Sequence, residues 1–335
     1  MLRRIVSTLV GISFFAVAAA NAQAAPSKRS TAEGKTAAKA VKVGAAAKSS
    51  KLVQQPKSIK IATLRAQRAS AAAAPAAVSD WNTLALQSSA YLVQDQATGA
   101  VLMEKNGTAV QPIASITKLM TAMVTLDAKL GLDEVLTISN DDLDTVKGTG
   151  SRLRIGTQLT REEMLRLALM SSENRAASAL GRHYPGGKAA FITAMNRKSE
   201  ELGLKDTRFA DSTGLTSANV SSPRDLARMV DAAHQYPLIR EFSTTPNDEV
   251  AVAGRTMQFN NTNSLVKSPN WEIGLSKTGY ISEAGKCLVM QAWFNNKPVI
   301  IVLLDSWGKM TRIGDANRIK RWIEHASLPG QNTSG

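Results

Sequence analysis

The segment that begins at Ser115 repeats its apolar residues at the spacing of a helix. The positions that share one helical face, at about 3.6 residues per turn, are Ile116, Leu119, Met120, Met123 and Val124. Ala122 and Leu126 add further apolar character beside this face. The pattern predicts a buried helix with a serine at its N-terminal end.

Two other segments have the same helical period. The first follows Thr160 and Glu163, which are spaced as in a capping box. Its apolar positions are Met164, Leu167, Ala168 and Met170. The second spans 311–326 and is predicted to be an amphipathic helix that closes the fold. The residues on its apolar face are Ile313, Ala316, Ile319 and Ile323.

Strand patterns occur on both sides of the central helices. The runs with strand-like composition are 90–95, 100–105, 287–294 and 299–304. A turn-forming sequence at 96–99 predicts that the first two runs form a hairpin. Residues 274–281 precede the last two runs and suit an edge strand. The last two runs are compatible with a place in the same sheet as this hairpin.

The N-terminus has the pattern of an export signal. Arg3 and Arg4 precede an apolar run at 5–20, and small residues suited to cleavage follow at 22–24. The run is short for a membrane span. There is also no cysteine near the cleavage point that would indicate a lipid anchor. We therefore predict a signal peptide at 1–24. The mature chain is expected in the periplasm, either soluble or peripherally attached to the cell envelope.

Residues 25–78 are rich in Ala, Lys and Ser and contain one acidic residue, Glu33. This composition is typical of a disordered linker. Residues 1–79 hold 13 Lys and Arg residues against one acidic residue, so only +2 of the net charge of +14 falls on 80–335. A nucleic-acid-binding domain would carry its basic surface on the fold, so nucleic acid is rejected as a partner. The linker is expected to be a solvated spacer or to associate electrostatically with anionic envelope surfaces.

Few other residues point to chemistry. Cys287 is the only cysteine, which excludes an intramolecular disulfide, and its apolar surroundings favour a buried thiol. His183, His234 and His325 lack metal-ligand spacing and indicate no serine–histidine–aspartate triad. The sequence contains no phosphate loop or dinucleotide fingerprint. We therefore predict no metal and no cofactor, and the sequence indicates no particular oligomeric state.

Three short polar motifs follow one another along the chain. They are Ser115-Ile116-Thr117-Lys118, Ser172-Glu173-Asn174 and Lys277-Thr278-Gly279. In this order they supply what serine acyl transfer needs when no histidine base is present. Single matches mean little, because Ser264 and Ser306 also lie three residues before a lysine and 217–219 imitates the second motif. Only Ser115 opens an amphipathic helical segment, which makes it the candidate nucleophile.

Lys118 is the candidate base. Residues three apart on a helix lie nearly above one another, which brings its amine within reach of the Ser115 hydroxyl. The amine accepts a proton only when neutral, so its pKa must fall from about 10.4 through burial and a nearby like charge, for which Lys277 is the expected cation. The backbone N–H of Ser115, at the helix start, is a candidate oxyanion donor. The N–H of Tyr280 is the second candidate.

The other two motifs offer contacts to a substrate. The Ser172 hydroxyl could relay a proton to a leaving group, and the Asn174 amide could hold both a substrate carbonyl and the base. Lys277 and Thr278 could bind a carboxylate. Gly279 is expected to let an extended substrate backbone approach the strand.

With these residues assembled, the chain resembles the low-molecular-mass penicillin-binding proteins, and more closely their D-alanyl-D-alanine endopeptidase branch. The further segments that carry the resemblance are 170–177, 211–215, 261–263 and 283–285. It covers 79–328, which is the expected catalytic domain, and leaves 329–335 as a flexible tail. The resemblance implies an α+β fold with an antiparallel sheet built from both chain ends, flanked by helices, and an inserted all-helical region.

The resemblance also implies site roles and a reaction. It implies a nucleophile at Ser115, a base at Lys118, a proton-relay pair at Ser172 and Asn174, and substrate binding by 277–279. The implied substrate is the stem-peptide cross-link of peptidoglycan, and β-lactams are implied as covalent inhibitors.

Three alternatives to a cross-link endopeptidase stay open. D-alanyl-D-alanine carboxypeptidase is the nearest, since it uses the same machinery on a terminal D-alanine. A serine β-lactamase shares the motifs, but no convincing glutamate-containing deacylation segment lies between Ser172 and Lys277. A noncatalytic wall-binding or β-lactam-sensing protein would not need the complete motif set.

Overall fold

A computed structural model describes most of the predicted catalytic domain. The described residues are 84–252, 254–308 and 310–326. The predicted signal peptide (1–24), basic linker (25–78) and C-terminal tail (329–335) lie outside them. Within the described part of the chain, every helix is too short or too polar to span a bilayer.

A five-stranded antiparallel sheet forms the centre of the fold. The strands in chain order are β1 (Ser88–Asp95), β2 (Val101–Lys105), β3 (Gln111–Pro112), β4 (Val135–Thr137), β5 (Gln158–Thr160), β6 (Val220–Ser221), β7 (Asn247–Val252), β8 (Arg255–Asn260), β9 (Glu272–Ile281), β10 (Gly285–Phe294) and β11 (Lys297–Ser306). The order across the large sheet is β2-β1-β11-β10-β9. Strands from both ends of the described region therefore lie side by side, as predicted. The third motif lies on β9, at the predicted sheet edge.

Helices fill the stretch between β2 and β9 and follow β11. In chain order they are α1 (Lys118–Asp127), α2 (Arg161–Met170), α3 (Asn174–Arg182), α4 (Gly187–Glu201), α5 (Pro223–His234), α6 (Pro237–Thr244) and α7 (Thr311–Ala326). The first six belong to the inserted region, and α7 has the predicted bounds of the closing helix.

Alternation along the central strands builds a core on each face of the sheet. On β10, Cys287 and Val289 pack with the helices of the inserted region, whereas Leu288 and Met290 pack with α7. Cys287 is fully buried, and this burial raises the pKa of its thiol to about 11. The predicted buried thiol is confirmed.

Local sequence determines where α2 begins and ends. The Thr160 hydroxyl accepts a hydrogen bond from the Glu163 N–H at 3.2 Å, and the Glu163 carboxylate accepts one from the Thr160 N–H at 2.7 Å. This is the predicted capping box, which satisfies two backbone donors at the helix start. The helix ends at Met170. The second motif therefore follows directly after α2.

The inserted region contains short strands in addition to its helices. Three two-stranded ladders pair β3 with β6, β4 with β5 and β7 with β8. The strands of the first two ladders have two or three residues each. Such lengths are too short for an alternating pattern to be recognised. The predicted mixed fold is confirmed, but the inserted region is not all-helical as the resemblance implied, because it also contains these ladders.

Helix α7 is fastened to the start of the sheet. Asp315 of α7 is fully buried and accepts hydrogen bonds from the Ser88 N–H at 2.8 Å and the Ser88 hydroxyl at 2.6 Å. The hydroxyls of Ser88 and Ser306 are also hydrogen-bonded, at 2.7 Å. The first residue of β1, the last residue of β11 and the beginning of α7 therefore form one buried polar junction.

Candidate active site

The first motif lies on a short 3₁₀ helix, Ala114–Thr117, that leads into α1. Ser115 is half-buried, and Lys118, the first residue of α1, is fully buried. The Nζ atom of Lys118 lies 2.8 Å from Ser115 Oγ. It also lies 2.8 Å from Asn174 Oδ1 and 2.7 Å from the carbonyl oxygen of Thr213. The amine of the first motif therefore contacts both the hydroxyl of that motif and the amide of the second.

Burial lowers the pKa of Lys118 to about 7. The carboxylates of Asp211 and Glu173 act in the opposite direction, but desolvation outweighs them. A large fraction of Lys118 is therefore uncharged at neutral pH. The predicted lowering of the Lys118 pKa by the charge of Lys277 is not found; burial and the charges of Lys118 and Arg312 instead lower the pKa of Lys277. Two neighbouring ammonium groups repel, so the pKa of the amine that is protonated second is the one that is lowered.

The second motif lies between α2 and α3. Ser172 has a φ of 61°, in the left-handed region that non-glycine residues rarely adopt, and Asn174 is the first residue of α3. The Ser172 Oγ accepts a hydrogen bond from Lys277 Nζ at 2.9 Å. Ala114, next to Ser115, is also left-handed, with a φ of 48°. Strained backbone therefore occurs at or beside both serines of the site, as is common where packing holds a functional side chain.

The third motif connects the edge strand to the second motif through Lys277. This side chain is 1% exposed, and its amine also donates to the carbonyl oxygen of Thr278 at 3.0 Å. Burial, the charge of Lys118 and the charge of Arg312 lower the pKa of Lys277 well below its usual value. Arg312 lies in the first turn of α7 and donates to the carbonyl oxygen of Gly279 at 3.2 Å. Arg312 was not among the predicted site residues, because no local sequence pattern relates α7 to β9.

Gly279 lies directly against the nucleophile segment. A Cβ atom at this position would be 2.9 Å from the Ile113 carbonyl oxygen and 3.2 Å from the Ser115 nitrogen. The glycine therefore allows β9 to pack against the 3₁₀ helix, in addition to the predicted approach of a substrate. The Ser115 nitrogen therefore lies beside β9, close to Gly279, and Tyr280 is the residue that follows Gly279. An oxyanion hole formed by the Ser115 and Tyr280 N–H groups stays a prediction.

Thr278 has a partner that the motif did not predict. Its hydroxyl is hydrogen-bonded to the Thr262 hydroxyl at 2.6 Å. The Thr262 N–H in turn donates to the carbonyl oxygen of Met170, the last residue of α2, at 3.1 Å. Thr262 belongs to the segment 261–263 that shared in the family resemblance. It places a second hydroxyl beside the third motif and joins β9 to the end of α2.

The loop 211–215, with the sequence Asp-Ser-Thr-Gly-Leu, packs against the segment that carries Ser115. Its Thr213 carbonyl accepts from Lys118, and its Asp211 carboxylate accepts from the N–H groups of Thr213 at 2.9 Å and Gly214 at 2.6 Å. Gly214 has a φ of 81°, and a Cβ there would lie 2.0 Å from the Ala114 carbonyl oxygen. No role was predicted for Thr213, since a contact through a backbone carbonyl is not revealed by residue type. The signal that could have found it was this loop's part in the resemblance.

The competing serine–lysine pairs have other surroundings. Lys267, three residues after Ser264, donates from Nζ to Asn260 Oδ1 at 2.8 Å. Ser306 is 2% exposed and hydrogen-bonded to Ser88 at the junction with α7. Each is thus explained by a structural contact away from the three motifs.

The three motifs together provide a half-buried hydroxyl, a buried amine of lowered pKa beside it, and a second serine–lysine pair at a sheet edge. Such a set can carry out nucleophilic acyl transfer through a covalent intermediate. Within the described ranges, no cluster of three or more His, Cys, Asp or Glu side chains is placed to hold a metal ion.

A sequence profile described as D-alanyl-D-alanine carboxypeptidase matches residues 71–308, which contain all three motifs. The chain belongs to this family. It is therefore a serine-type peptidase, and the resemblance inferred from the motifs is confirmed.

Two relatives named D-alanyl-D-alanine endopeptidase are similar to this peptidase over 241 residues each. The protein from Pseudomonas aeruginosa is 53% identical, and the protein from Escherichia coli is 48% identical. Both alignments cover 71% of this chain and 78% of the relative.

Solved structures of related enzymes have the same fold. The crystal structure of the Streptomyces K15 DD-transpeptidase has a TM-score of 0.66 and 31% identity, covering 71% of this chain and 97% of the other. Penicillin-binding protein D2 from Listeria monocytogenes, solved in its ampicillin-bound form, has a TM-score of 0.63, 29% identity and the same coverage. The predicted fold class is thereby confirmed.

Proposed function

We propose that this peptidase is an endopeptidase that cleaves D-alanyl cross-links between peptidoglycan stem peptides, through an acyl-enzyme on Ser115. The observation that carries the proposal is the set of three short contacts at Lys118 Nζ, one of which is to Ser115 Oγ. The two endopeptidase relatives favour cross-links as the substrate.

The partners of Lys118 support its role as the base. A neutral amine has two N–H donors and one lone pair. The Thr213 carbonyl and Asn174 Oδ1 can only accept, so they take the two donors. The lone pair is left for the Ser115 hydroxyl, which is the one partner of the three that can donate. Ser115 Oγ then attacks the carbonyl carbon of a D-alanyl residue while Lys118 takes its proton.

Ser172 is placed to relay to the departing amine the proton that Lys118 took from Ser115, which returns Lys118 to its neutral form and leaves the Ser172 hydroxyl intact. Its oxygen accepts from Lys277 Nζ, which leaves its own O–H for the leaving group. Lys277 and Thr278 would bind a carboxylate near the scissile bond, while the substrate backbone pairs with the edge of β9. The N–H groups of Ser115 and Tyr280 would receive the carbonyl oxygen as it becomes an anion.

Water then releases the acyl group and regenerates the Ser115 hydroxyl. Penicillin would enter by the same first step, because its strained amide can acylate Ser115, and slow hydrolysis would leave the enzyme trapped. The ampicillin-bound structure of the Listeria relative supports this part of the proposal.

The proposed place of action is the periplasm, after removal of 1–24. We propose that the basic segment 25–78 then holds the enzyme weakly to anionic envelope surfaces; a solvated spacer is the alternative. Sedimentation of the full mature chain with envelopes should decrease as salt is added. Sedimentation that is insensitive to salt would contradict electrostatic attachment.

D-alanyl-D-alanine carboxypeptidase is the second candidate, favoured by the description of the family. Digestion of purified cross-linked and monomeric muropeptides, followed by mass spectrometry, distinguishes the two activities. We expect loss of cross-linked dimers without shortening of monomeric pentapeptides. Removal of terminal D-alanine alone would establish a carboxypeptidase, and enzyme treated with penicillin beforehand is the control.

The same preparation tests the less favoured alternatives. Rapid turnover of penicillin would indicate a serine β-lactamase. Binding to wall fragments without any hydrolysis would indicate a noncatalytic binding or sensing protein.

We expect acylation of Ser115 to slow by about tenfold for each pH unit below about pH 7. The pKa of Lys118 is lowered to about 7, and once protonated this amine has no lone pair for the Ser115 proton. The second-order rate constant for penicillin labelling, measured from about pH 5 to about pH 9, provides the test. A rate that stays constant over this range would contradict Lys118 as the base.

Gly214→Ala is expected to slow acylation by about 100-fold or more, because the new Cβ must displace Ala114 and with it Ser115. Intact-protein mass spectrometry of penicillin labelling measures the effect. Gly203→Ala is the matched control, since Gly203 is also left-handed, with a φ of 67°, but its Cβ would meet no atom within 4 Å. Equal losses in both variants would show that backbone strain, and not the contact with Ala114, is responsible.

A further inference from the structure

We infer that Thr149 is a positioning residue that fixes the amide of Asn174 so that the amide oxygen faces Lys118. The inference deepens the proposed function and rests on it for the meaning of the rate measurements. Thr149 lies in the loop before β5, outside all three motifs.

The Asn174 amide is held on both sides. Its Oδ1 accepts from Lys118 Nζ at 2.8 Å, and its Nδ2 donates to Thr149 Oγ1 at 3.1 Å. The Thr149 hydroxyl donates in turn to Asp144 Oδ2 at 2.6 Å. A continuous chain of hydrogen bonds therefore runs from the Asp144 carboxylate through Thr149 and Asn174 to Lys118, and from there to Ser115.

The carboxylate of Asp144 fixes which group donates and which accepts at each step of this series of hydrogen bonds. Burial raises the pKa of Asp144, but hydrogen bonds from the Thr149 hydroxyl and from the N–H groups of Lys147, Thr149 and Val146 lower it to about 2. An ionised carboxylate only accepts, so the Thr149 hydroxyl must give its proton to Asp144. The Thr149 oxygen then accepts from the Asn174 N–H. An amide that gives its N–H to Thr149 presents its oxygen on the other side.

The orientation of Asn174 decides whether Lys118 has a lone pair for Ser115. In the observed orientation the amide oxygen takes one N–H of Lys118. In the reversed orientation an amide N–H would point at the amine and occupy the lone pair that the Ser115 proton needs. The reversed amide would also disfavour the ammonium form of Lys118. Thr149 therefore keeps the base ready for proton transfer without touching the reacting atoms.

The loop around Thr149 is also held by contacts to the inserted region and to the turn between β9 and β10. Ser151 Oγ donates to Glu173, in the second motif, at 2.8 Å. Lys147 forms an ion pair with Glu283, in the turn that follows β9. Thr149 itself is exposed. A change confined to the Thr149 hydroxyl therefore leaves these contacts and the core in place.

Thr149→Val removes the hydroxyl and keeps the shape of the side chain. We expect it to slow penicillin labelling of Ser115 by about 10–100-fold, and Thr149→Ser, which keeps a hydroxyl, to restore the wild-type rate. Thr145→Val is the matched control, an exposed threonine of the same loop, and is expected to label at the wild-type rate. Asp144→Ala is less informative, because it would also release the backbone N–H groups that shape the loop.

The pKa of Lys118 separates positioning from a merely structural role. We expect it to fall in Thr149→Val and to recover in Thr149→Ser, followed through the ¹³Cε shift of labelled lysine in the full mature chain. A loosened loop would instead admit water and raise the pKa toward about 10.4. An unchanged labelling rate, an unchanged pKa or a raised pKa in Thr149→Val overturns the inference.

Failure of the proposed function has a different signature. Wild-type enzyme that penicillin does not label and that leaves muropeptides intact contradicts the proposed function. The pKa of Lys118 can be measured without any substrate. Comparing this pKa in Thr149→Val and Thr149→Ser therefore supports or overturns the positioning role in that case as well.

Discussion

Ser115→Ala is expected to abolish covalent labelling by penicillin and to lower muropeptide hydrolysis by about 10⁴-fold or more. The Ser115 Oγ is the hydroxyl in contact with the buried amine of Lys118, and no acyl-enzyme can form without it. Ser115 is half-buried, and the substitution removes a single oxygen. The folded structure should therefore persist, which a thermal unfolding measurement would verify.

Ser264→Ala is the matched control for this loss. Ser264 has the same spacing to a lysine, but Lys267 is hydrogen-bonded to Asn260 and not to the three motifs. This variant is expected to label and hydrolyse as the wild type does. Labelling that persists in Ser115→Ala, or that disappears in Ser264→Ala, would contradict the assignment of the nucleophile.

Periodicity and caps were enough to predict the elements that carry the motifs. The capping box at Thr160 and Glu163 and the bounds of α7 follow from residues close together in the chain, where side-chain chemistry acts on the local backbone. The buried helix after Ser115 was predicted as well, but Ser115 itself lies on a 3₁₀ turn and α1 begins at Lys118. Local patterns locate elements better than they locate their first residues.

The contacts that complete the site depend on distant parts of the chain. Thr213 contributes a backbone carbonyl, which any residue type could supply. Arg312 reaches β9 from α7, and Thr149 reaches Asn174 from a loop without a regular period. Such contacts are set by how the elements pack, so one-dimensional spacing gives no indication of them.

The electrostatics of the lysine pair were predicted only in part. Burial as the cause of the lowered pKa of Lys118 was expected, since its helix face is apolar. The opposing effects of Asp211 and Glu173 were not expected, because both residues approach Lys118 only in the folded chain. The balance of these effects leaves the pKa of Lys118 at about 7, which suits a base that works near neutral pH.

Lys118→Met is expected to slow acylation of Ser115 by about 10²–10⁴-fold, the usual contribution of a general base. Methionine has a similar length and no charge, so it occupies the buried position without a lone pair that can take the Ser115 proton. The acceptors Asn174 Oδ1 and the Thr213 carbonyl lose a donor. Penicillin labelling rates of the two proteins are compared at about pH 8, where wild-type Lys118 is mostly neutral and able to act as the base.

The same variant should also remove a pH dependence of stability. In the folded wild type the pKa of Lys118 is about 7, against about 10.4 in the unfolded chain. Between these two pKa values the unfolded chain binds more protons than the folded chain, so the free energy of unfolding of the wild type rises with pH. The stability gained in this way is lost as pH falls through about 7. From about pH 7 to about pH 9, the wild type should gain about 2 kcal/mol relative to Lys118→Met in urea unfolding. An equal pH dependence in both proteins would show that Lys118 keeps its charge in the folded state, and the proposed base would then be untenable.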